Sequence, residues 1–273
     1  MSSQLVRDHI EIIRNSHALP DLGRAELVKQ LRKIGLLTPD FANAKTAKSQ
    51  GFGFASYILH LAPSKVSGYN VCPAASKGCA AACLNTAGRG RFDSIQESRI
   101  RKTLYFIKFQ KEFMAHLYTE IKKLEIKAKK DGLKPVVRLN GTSDVPWENL
   151  KIDGQNLFQL FPNVQFYDYT KVLIRLAKLK AMDLKNYNVT FSCSESNWTE
   201  CVTAMGLGFN VAVVFDTIPK TYQGFNVING DDSHGDLRFL DAPNSIVGLR
   251  AKGDAKKDLS GFVKRLDAVK QAA

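Results

Sequence analysis

The stretch VQFYDYTKVLIRLAKLKAMDLKNYNVTFSCSESNWTECVTAMGLGFNVAVVFD, residues 164–216, contains three short apolar runs separated by longer segments. The runs VQFYDYT, NVTFSCS and NVAVVFD are each typical of a buried strand. The segment between the first two runs, KVLIRLAKLKAM, is typical of a helix. The segment between the second and third runs, SNWTECVTAMG, is more ambiguous. Strand, crossover and strand in repetition predict a parallel sheet with helices packed on it.

The same pattern extends to both sides of this stretch. FASYILHLAP (54–63) and PVVRLNG (135–141) precede it, and SIVGLRA (245–251) follows it, which gives about six or seven strands. This number is short of the eight units of a full barrel. The predicted fold class is therefore α/β, as a partial (β/α) barrel with mostly parallel strands and outer helices. A doubly wound open sheet is the main alternative.

Two regions are predicted along the chain. Residues 1–45 form an N-terminal helical arm, and residues 46–273 form an α/β partial-barrel domain that carries a cysteine-loop metal site. Within the domain, apolar residues at helical spacing predict one long helix that ends at Gly132. Residues 217–244 are rich in turn residues and predict an excursion with a hairpin, and residues 258–271 predict a final amphipathic helix.

Composition limits the class of protein. The chain has 273 residues, five cysteines and a formal net charge of +13. It lacks an apolar run of the roughly eighteen residues that a membrane span needs and a signal-peptide segment, so we expect a cytoplasmic protein without a membrane partner. The positive charge suggests nucleic acid as a partner. However, the lysines and arginines are spread along predicted helices, which favours an ordinary solvated surface.

Three of the five cysteines lie on one short loop after the first predicted strand. Cys72, Cys79 and Cys83 have the spacing C-x6-C-x3-C among small residues that let the backbone curl tightly. We interpret them as metal ligands of a 4Fe-4S cluster whose fourth iron is open or held by a distant group. Zinc, completed by His60 or a further cysteine, is the alternative metal. The loop could also simply contain buried thiols.

The other two cysteines have less specific surroundings. Cys193 follows a predicted strand and is either a fourth ligand of the cluster or a core residue. Cys201 falls on the ambiguous helical segment, where a buried structural thiol is the better interpretation.

Polar residues follow several predicted strands, and the carboxyl ends of parallel strands are where enzymes of this class carry their sites. A rim of such side chains could hold a small or polar ligand against the fourth iron. Some of these residues, such as Thr170 and Ser196, could equally cap the helices that follow. The candidate ligand-pocket residues are Arg138, Asn140, Asp144, Asp168 and Lys171.

Six stretches together resemble a phage protein family, the gene product 88-like proteins, which are distantly similar to radical SAM barrels. The resemblance runs from about residue 54 to 257 and implies a radical SAM-like partial barrel with a cluster held by Cys72, Cys79 and Cys83. Radical SAM enzymes typically carry C-x3-C-x2-C and a GGE-type stretch, and this chain has neither, so no SAM-binding residue is carried over. The stretches are CPAASKGCAAACL, RLNGTSDVPWE, FYDYTK, SCSESN, VINGDDSHGDLRFLDAP and IVGLRAKGDAKKD.

Three functional hypotheses follow. The first is a phage-encoded 4Fe-4S protein in the host cytoplasm, which is either a redox or radical-type enzyme acting on a small or polar ligand, with SAM as a possible second cofactor, or a cluster-dependent binding module. The second is a zinc-stabilised basic protein that binds nucleic acid. The third is an inactive descendant of an enzyme fold that serves as an interaction protein.

Overall fold

The computed structural model describes residues 3–39, 47–232, 234 and 236–266, in which the apolar runs form strands and the intervening segments form helices. The strands are β1 (Leu37–Pro39), β2 (Phe54–Leu59), β3 (Lys134–Arg138), β4 (Lys151–Ile152), β5 (Gln155–Asn156), β6 (Gln165–Thr170), β7 (Tyr187–Ser192), β8 (Val211–Phe215), β9 (Thr221–Tyr222), β10 (Phe225–Asn229), β11 (Ile246–Arg250) and β12 (Val263–Lys264). The helices are α1 (Ser3–Arg14), α2 (Asp21–Leu31), α3 (Lys77–Ala81), α4 (Asp93–Lys108), α5 (Gln110–Lys130), α6 (Leu157–Leu160), α7 (Leu173–Met182) and α8 (Trp198–Gly206).

Ten of the described strands form one sheet, in the order β1-β2-β3-β6-β7-β8-β11-β10-β9, with β12 added beside β8. All neighbours are parallel except at the two edges, where β1 pairs antiparallel with β2 and β9 with β10. The predicted α/β fold with mostly parallel strands and packed helices is therefore confirmed. Within the described ranges the edges do not pair with each other, so the sheet is open and no barrel closes.

Strands β7 and β8 are offset along the sheet, so that the end of β7 pairs with the start of β8. They pair only at Phe191 with Val211 and at Ser192 with Ala212. Beyond the end of β7, β12 lies along the edge of β8, where Val263 pairs with Val214. The prediction of a final helix over residues 258–271 is wrong for its described part, because the backbone of this segment pairs with β8 instead. Residues 267–271 lie outside the described ranges.

The predicted single long helix is in fact two helices. Phe109 has φ −137° and ψ 53°, which ends α4 and begins α5, and its side chain is buried in the core. Gly132 ends α5 as predicted, because its φ of +70° is a left-handed conformation that glycine adopts without strain. In the described part of the chain, no helix combines the length and the apolarity that crossing a bilayer requires.

The N-terminal helices pack on the sheet domain. Helix α1 lies along α4, and Ile13, Leu31 and Leu36 are fully buried in the same core as the residues of α4 and α5. Strand β1 joins the edge of the sheet. The predicted boundary between residues 45 and 46 lies outside the described ranges.

The two faces of the sheet are covered differently. The helical face packs Val137 and Phe166 against α4 and α5, which makes the larger core. On the opposite face, which we call the inner face, Leu237 packs against Val136 and Tyr167. The turn-rich excursion contains the predicted hairpin, β9 and β10, and then crosses the inner face before β11.

We predict that Gly132→Ala destabilises the protein by about 1–2 kcal/mol, because a Cβ atom is strained at positive φ. The measurement is the free energy of unfolding in urea. Gly206→Ala is the matched control, since Gly206 ends α8 with a negative φ and has open space where a Cβ would lie. Equal effects of the two substitutions would contradict this account of the α5 terminus.

Candidate functional site

A cleft of about 630 Å³ opens at the carboxyl ends of the parallel strands. Its walls come from the cysteine loop, from the ends of β3, β6, β7, β8 and β11, and from the segment before β12. Parallel strands end at one edge of the sheet, so loops distant in sequence meet there. The cleft therefore occupies the position at which the sequence predicts a site.

All three loop cysteines line this cleft. Cys72, Cys79 and Cys83 are free thiols and each is partly buried. The Asn70 side chain accepts a hydrogen bond from the Cys72 backbone N–H at 2.9 Å, and the Cys72 Sγ lies 3.7 Å from the Thr142 carbonyl oxygen. The structure thus brings the predicted ligand cysteines to one cavity.

Burial raises the pKa of two of the loop thiols, Cys72 and Cys83. The pKa of Cys72 rises to about 11, with further contributions from Cys83 and Cys79. The pKa of Cys83 is also raised by burial, although Arg99 and Lys171 act in the opposite direction. At neutral pH the metal-free thiols of Cys72 and Cys83 therefore keep their protons, and metal binding has to release them.

Helix α3, which carries Cys79, is fixed at its N-terminus by a carboxylate from another strand. Glu195 follows β7 and accepts hydrogen bonds from the Gly78 backbone N–H at 2.8 Å and from the Ser76 hydroxyl at 2.6 Å. Ser76 in turn caps the helix by accepting from the Cys79 N–H at 3.1 Å. A Cβ atom at Gly78 would overlap Phe262, so the loop is also pressed against the segment that leads into β12.

Four of the five candidate pocket residues line the cleft, namely Arg138, Asn140, Asp144 and Lys171. The side chain of Asn140, however, forms hydrogen bonds within the loop that follows β3. Its Oδ1 accepts from the Val145 N–H at 2.9 Å and from the Trp147 Nε1–H at 3.0 Å, and its Nδ2 donates to the Val145 carbonyl at 3.0 Å. Asn140 therefore shapes the wall of the cleft.

Asp144 belongs to a buried ion-pair network centred on Arg175. The Arg175 guanidinium donates to Asp144 Oδ1 at 2.9 Å and, through two nitrogens, to both oxygens of Glu148 at 2.8 Å. The Arg175 and Glu148 side chains are 4% and 1% exposed, so the charges are paired away from solvent. Sequence reasoning missed Arg175 because it lies among the basic residues of α7, which are otherwise solvated.

Asp168 lies beneath the cleft and is fully buried. It accepts from the Asn140 backbone N–H at 2.6 Å, and its other oxygen lies 3.2 Å from the Tyr187 hydroxyl. Burial raises the pKa of Asp168 to about 7, although Arg175 favours its ionised form. Asp168 therefore supports the cleft from below and does not line it.

Arg138 is held on the inner face by residues of the excursion before β11. Its guanidinium donates to Asp236 Oδ2 at 2.5 Å and lies 4.6 Å from the centre of the Tyr169 ring. The Tyr169 hydroxyl donates to the other oxygen of Asp236 at 3.2 Å. No feature of the sequence pairs Arg138 with Asp236, because the excursion returns to the sheet only through its tertiary fold.

The alternative metal ligands do not line the cleft. Cys193 is 3% exposed and packs in the core on the helical face, as Cys201 does. The pKa of His60 falls to about 3 through burial and the nearby Arg99 and Arg138, so its imidazole is neutral at physiological pH. Among the residues that the structure describes, no three or more His, Cys, Asp or Glu side chains stand together in an arrangement that could hold a metal ion.

We predict that Arg175→Met destabilises the protein by about 3–5 kcal/mol, because it leaves Glu148 as an uncompensated buried charge. Urea unfolding measures the loss. Lys178→Met is the matched control, since Lys178 is exposed on the same helix. A loss in Arg175→Met no larger than in Lys178→Met would refute the structural role of this network.

We predict that Asp168→Asn removes a pH dependence of stability. The folded protein holds the Asp168 proton up to about pH 7, whereas the unfolded chain loses it near pH 4, so stability falls as pH rises between these values. The free energy of unfolding of the variant minus that of the wild type should therefore increase over this range, by up to about 1.4 kcal/mol per pH unit. Asp183→Asn, at an exposed carboxylate, should leave the profile unchanged.

Comparison of the chain with known proteins bears on its family alone. Neither the curated proteins nor the solved structures give a significant match. The likeness to radical SAM barrels therefore remains a hypothesis. By contrast, the family model described as Gene product 88 matches residues 31–266, which is most of the chain. The stretches that carry the resemblance lie within this range, and the chain belongs to the Gene product 88 family of phage proteins.

Proposed function

We propose that this protein binds a 4Fe-4S cluster through Cys72, Cys79 and Cys83. The observation that carries the proposal is that three free, partly buried thiols line one cleft at the carboxyl edge of a parallel sheet. Thiolates are the ligands that iron–sulfur clusters use, and three of them leave one iron available. The described thiols do not by themselves form a closed metal site, so we expect the loop to tighten when the cluster is inserted.

The order of the strands supports a finer hypothesis about the fold. Strands β2, β3, β6, β7 and β8 lie side by side in chain order, as in barrels, and not in the reversed order of doubly wound sheets. The cysteine loop follows β2, the first strand of this parallel series. We therefore propose a radical SAM-like partial barrel, in which the cluster lies at the carboxyl edge.

Within this hypothesis the cluster would supply electron transfer, and its open iron would bind a ligand. The residues of the chain would shape and charge the cavity around that ligand. Arg138, Asn140 and Asp144 are committed to internal contacts, so they fix the walls, whereas Lys171 keeps a charged group directed at the cavity. The protein would then be a redox or radical-type enzyme, with SAM as one candidate ligand.

The alternative function is a zinc-stabilised protein that binds nucleic acid, and the net charge of +13 favours it. Such binding should weaken steeply with salt, because each phosphate contact releases counterions. Weak binding of DNA and RNA at low salt would rule out this alternative.

We predict about four irons and four sulfides per chain in protein purified without oxygen, with the visible absorption and EPR signals of a 4Fe-4S cluster. Cys72→Ala, Cys79→Ala and Cys83→Ala should each lower the iron and sulfide content strongly. Cys201→Ala is the matched control, because Cys201 is a buried thiol away from the cleft and should leave the content unchanged.

One zinc and no sulfide per chain would refute the cluster and favour the structural-zinc alternative. Wild-type content in all three cleft variants would show that any bound iron is held elsewhere. If the cluster is present, a change of its EPR spectrum on addition of SAM would support the radical-type reaction, and an unchanged spectrum would favour a different ligand.

A further inference from the structure

The charges that line the cleft do not balance. Its carboxylates are Asp144, Asp231 and Asp236, and each is occupied by a partner inside the protein. Asp144 pairs with Arg175, Asp231 with Lys252 at 2.5 Å, and Asp236 with Arg138. Internal cations therefore offset most of the negative charge of the lining, although Arg175 is shared by Asp144 and Glu148, which leaves one net negative charge in that network.

Three cations of the lining remain without a carboxylate partner among the described residues, and we call them the basic rim. They are Lys65, Lys171 and Arg250. Lys65 and Arg250 are exposed, as surface cations normally are, whereas Lys171 is partly buried. The basic rim gives the cleft a net positive charge where a ligand would enter.

Among the residues of the basic rim, Lys171 has the surroundings that best indicate how a ligand would be bound. Its Nζ donates to the Ser192 hydroxyl at 2.7 Å and lies 5.6 Å from the centre of the Phe262 ring. A hydroxyl and an aromatic ring hold the ammonium group in place without neutralising it. Because Lys171 is only half-buried and lines the cleft, its unneutralised ammonium group is available to an anionic ligand in the cavity.

Apolar side chains form a large part of the remaining wall. Val66, Leu84, Val214, Leu249 and Phe262 contribute to it, and the volume of about 630 Å³ lies in the range of small-molecule sites. A ligand that fits this lining has an apolar or aromatic body and one anionic group. The anionic group would lie against Lys171 and the body against the apolar wall.

We propose that the cleft binds an organic anion, with a carboxylate or phosphate group recognised by Lys171 and the exposed cations of the rim. This inference deepens the proposed function and rests on the same cleft. It does not require the cluster, however, because the basic rim and the apolar wall are present in the protein alone.

The test compares two fluorescent probes that differ in one anionic group. The probe 1-anilinonaphthalene-8-sulfonate carries a sulfonate, and N-phenyl-1-naphthylamine is the same aromatic framework without it. With iron-free wild-type protein, we expect the sulfonate probe to bind about tenfold or more tightly than the neutral one. In Lys171→Met the affinity for the sulfonate probe should fall about tenfold, while the affinity for the neutral probe stays unchanged.

Lys178→Met is the control, because it removes the same charge from an exposed position on α7. Equal affinities of the wild type for the two probes, or equal losses in Lys171→Met and Lys178→Met, would overturn the proposal. Displacement of the sulfonate probe by benzoate or by phenyl phosphate identifies the preferred anionic group, and displacement by neither also overturns it.

Iron and sulfide analysis on separately prepared anaerobic protein keeps the two hypotheses apart. Selective binding of the sulfonate probe by a protein that contains no cluster would support the anion site and refute the cluster. A bound cluster in a protein that shows no selectivity for the anionic probe would support the cluster and refute the anion site.

Discussion

The architecture of the cleft depends on the offset between β7 and β8, which pair only where β7 ends and β8 begins. Backbone groups of β8 that lie beyond the end of β7 need partners, and β12 supplies them. The segment before β12 then reaches the cysteine loop, where Phe262 lies against Gly78. Glu195, immediately beyond β7, holds the start of α3 at the same place. The offset of these two strands thus positions the loop, the final strand and the mouth of the cleft.

Buried charges fix the remaining walls. Arg175 joins the loop after β3 to α7, and Arg138 joins β3 to the excursion before β11. Each pair holds two segments that are far apart in sequence, and each leaves few hydrogen-bonding groups free for a ligand. Such networks contribute little net stability compared with apolar packing, but breaking them is costly. Their value here is that they fix the shape of the cleft.

The sequence was sufficient to predict those features of the structure that depend on short, local residue patterns. Apolar runs between turn residues predicted the parallel strands, and the spacing of Cys72, Cys79 and Cys83 predicted residues that share one cavity. It was insufficient to predict those features that depend on contacts between segments distant in the sequence. Strand β12 has two residues and exists only because β8 has a free edge, and the break at Phe109 contains neither proline nor glycine. The family match rests on the order of several stretches, which no single stretch could provide.

The ends of the sheet have a consequence for assembly. Both described edges carry very short antiparallel strands, β1 with three residues and β9 with two. A long unpaired edge invites the addition of a strand from a neighbouring molecule, and short edge strands are a common way to prevent this. In the described part of the chain, the sheet therefore ends in short strands on both sides, and growth of the sheet from one copy to the next is disfavoured.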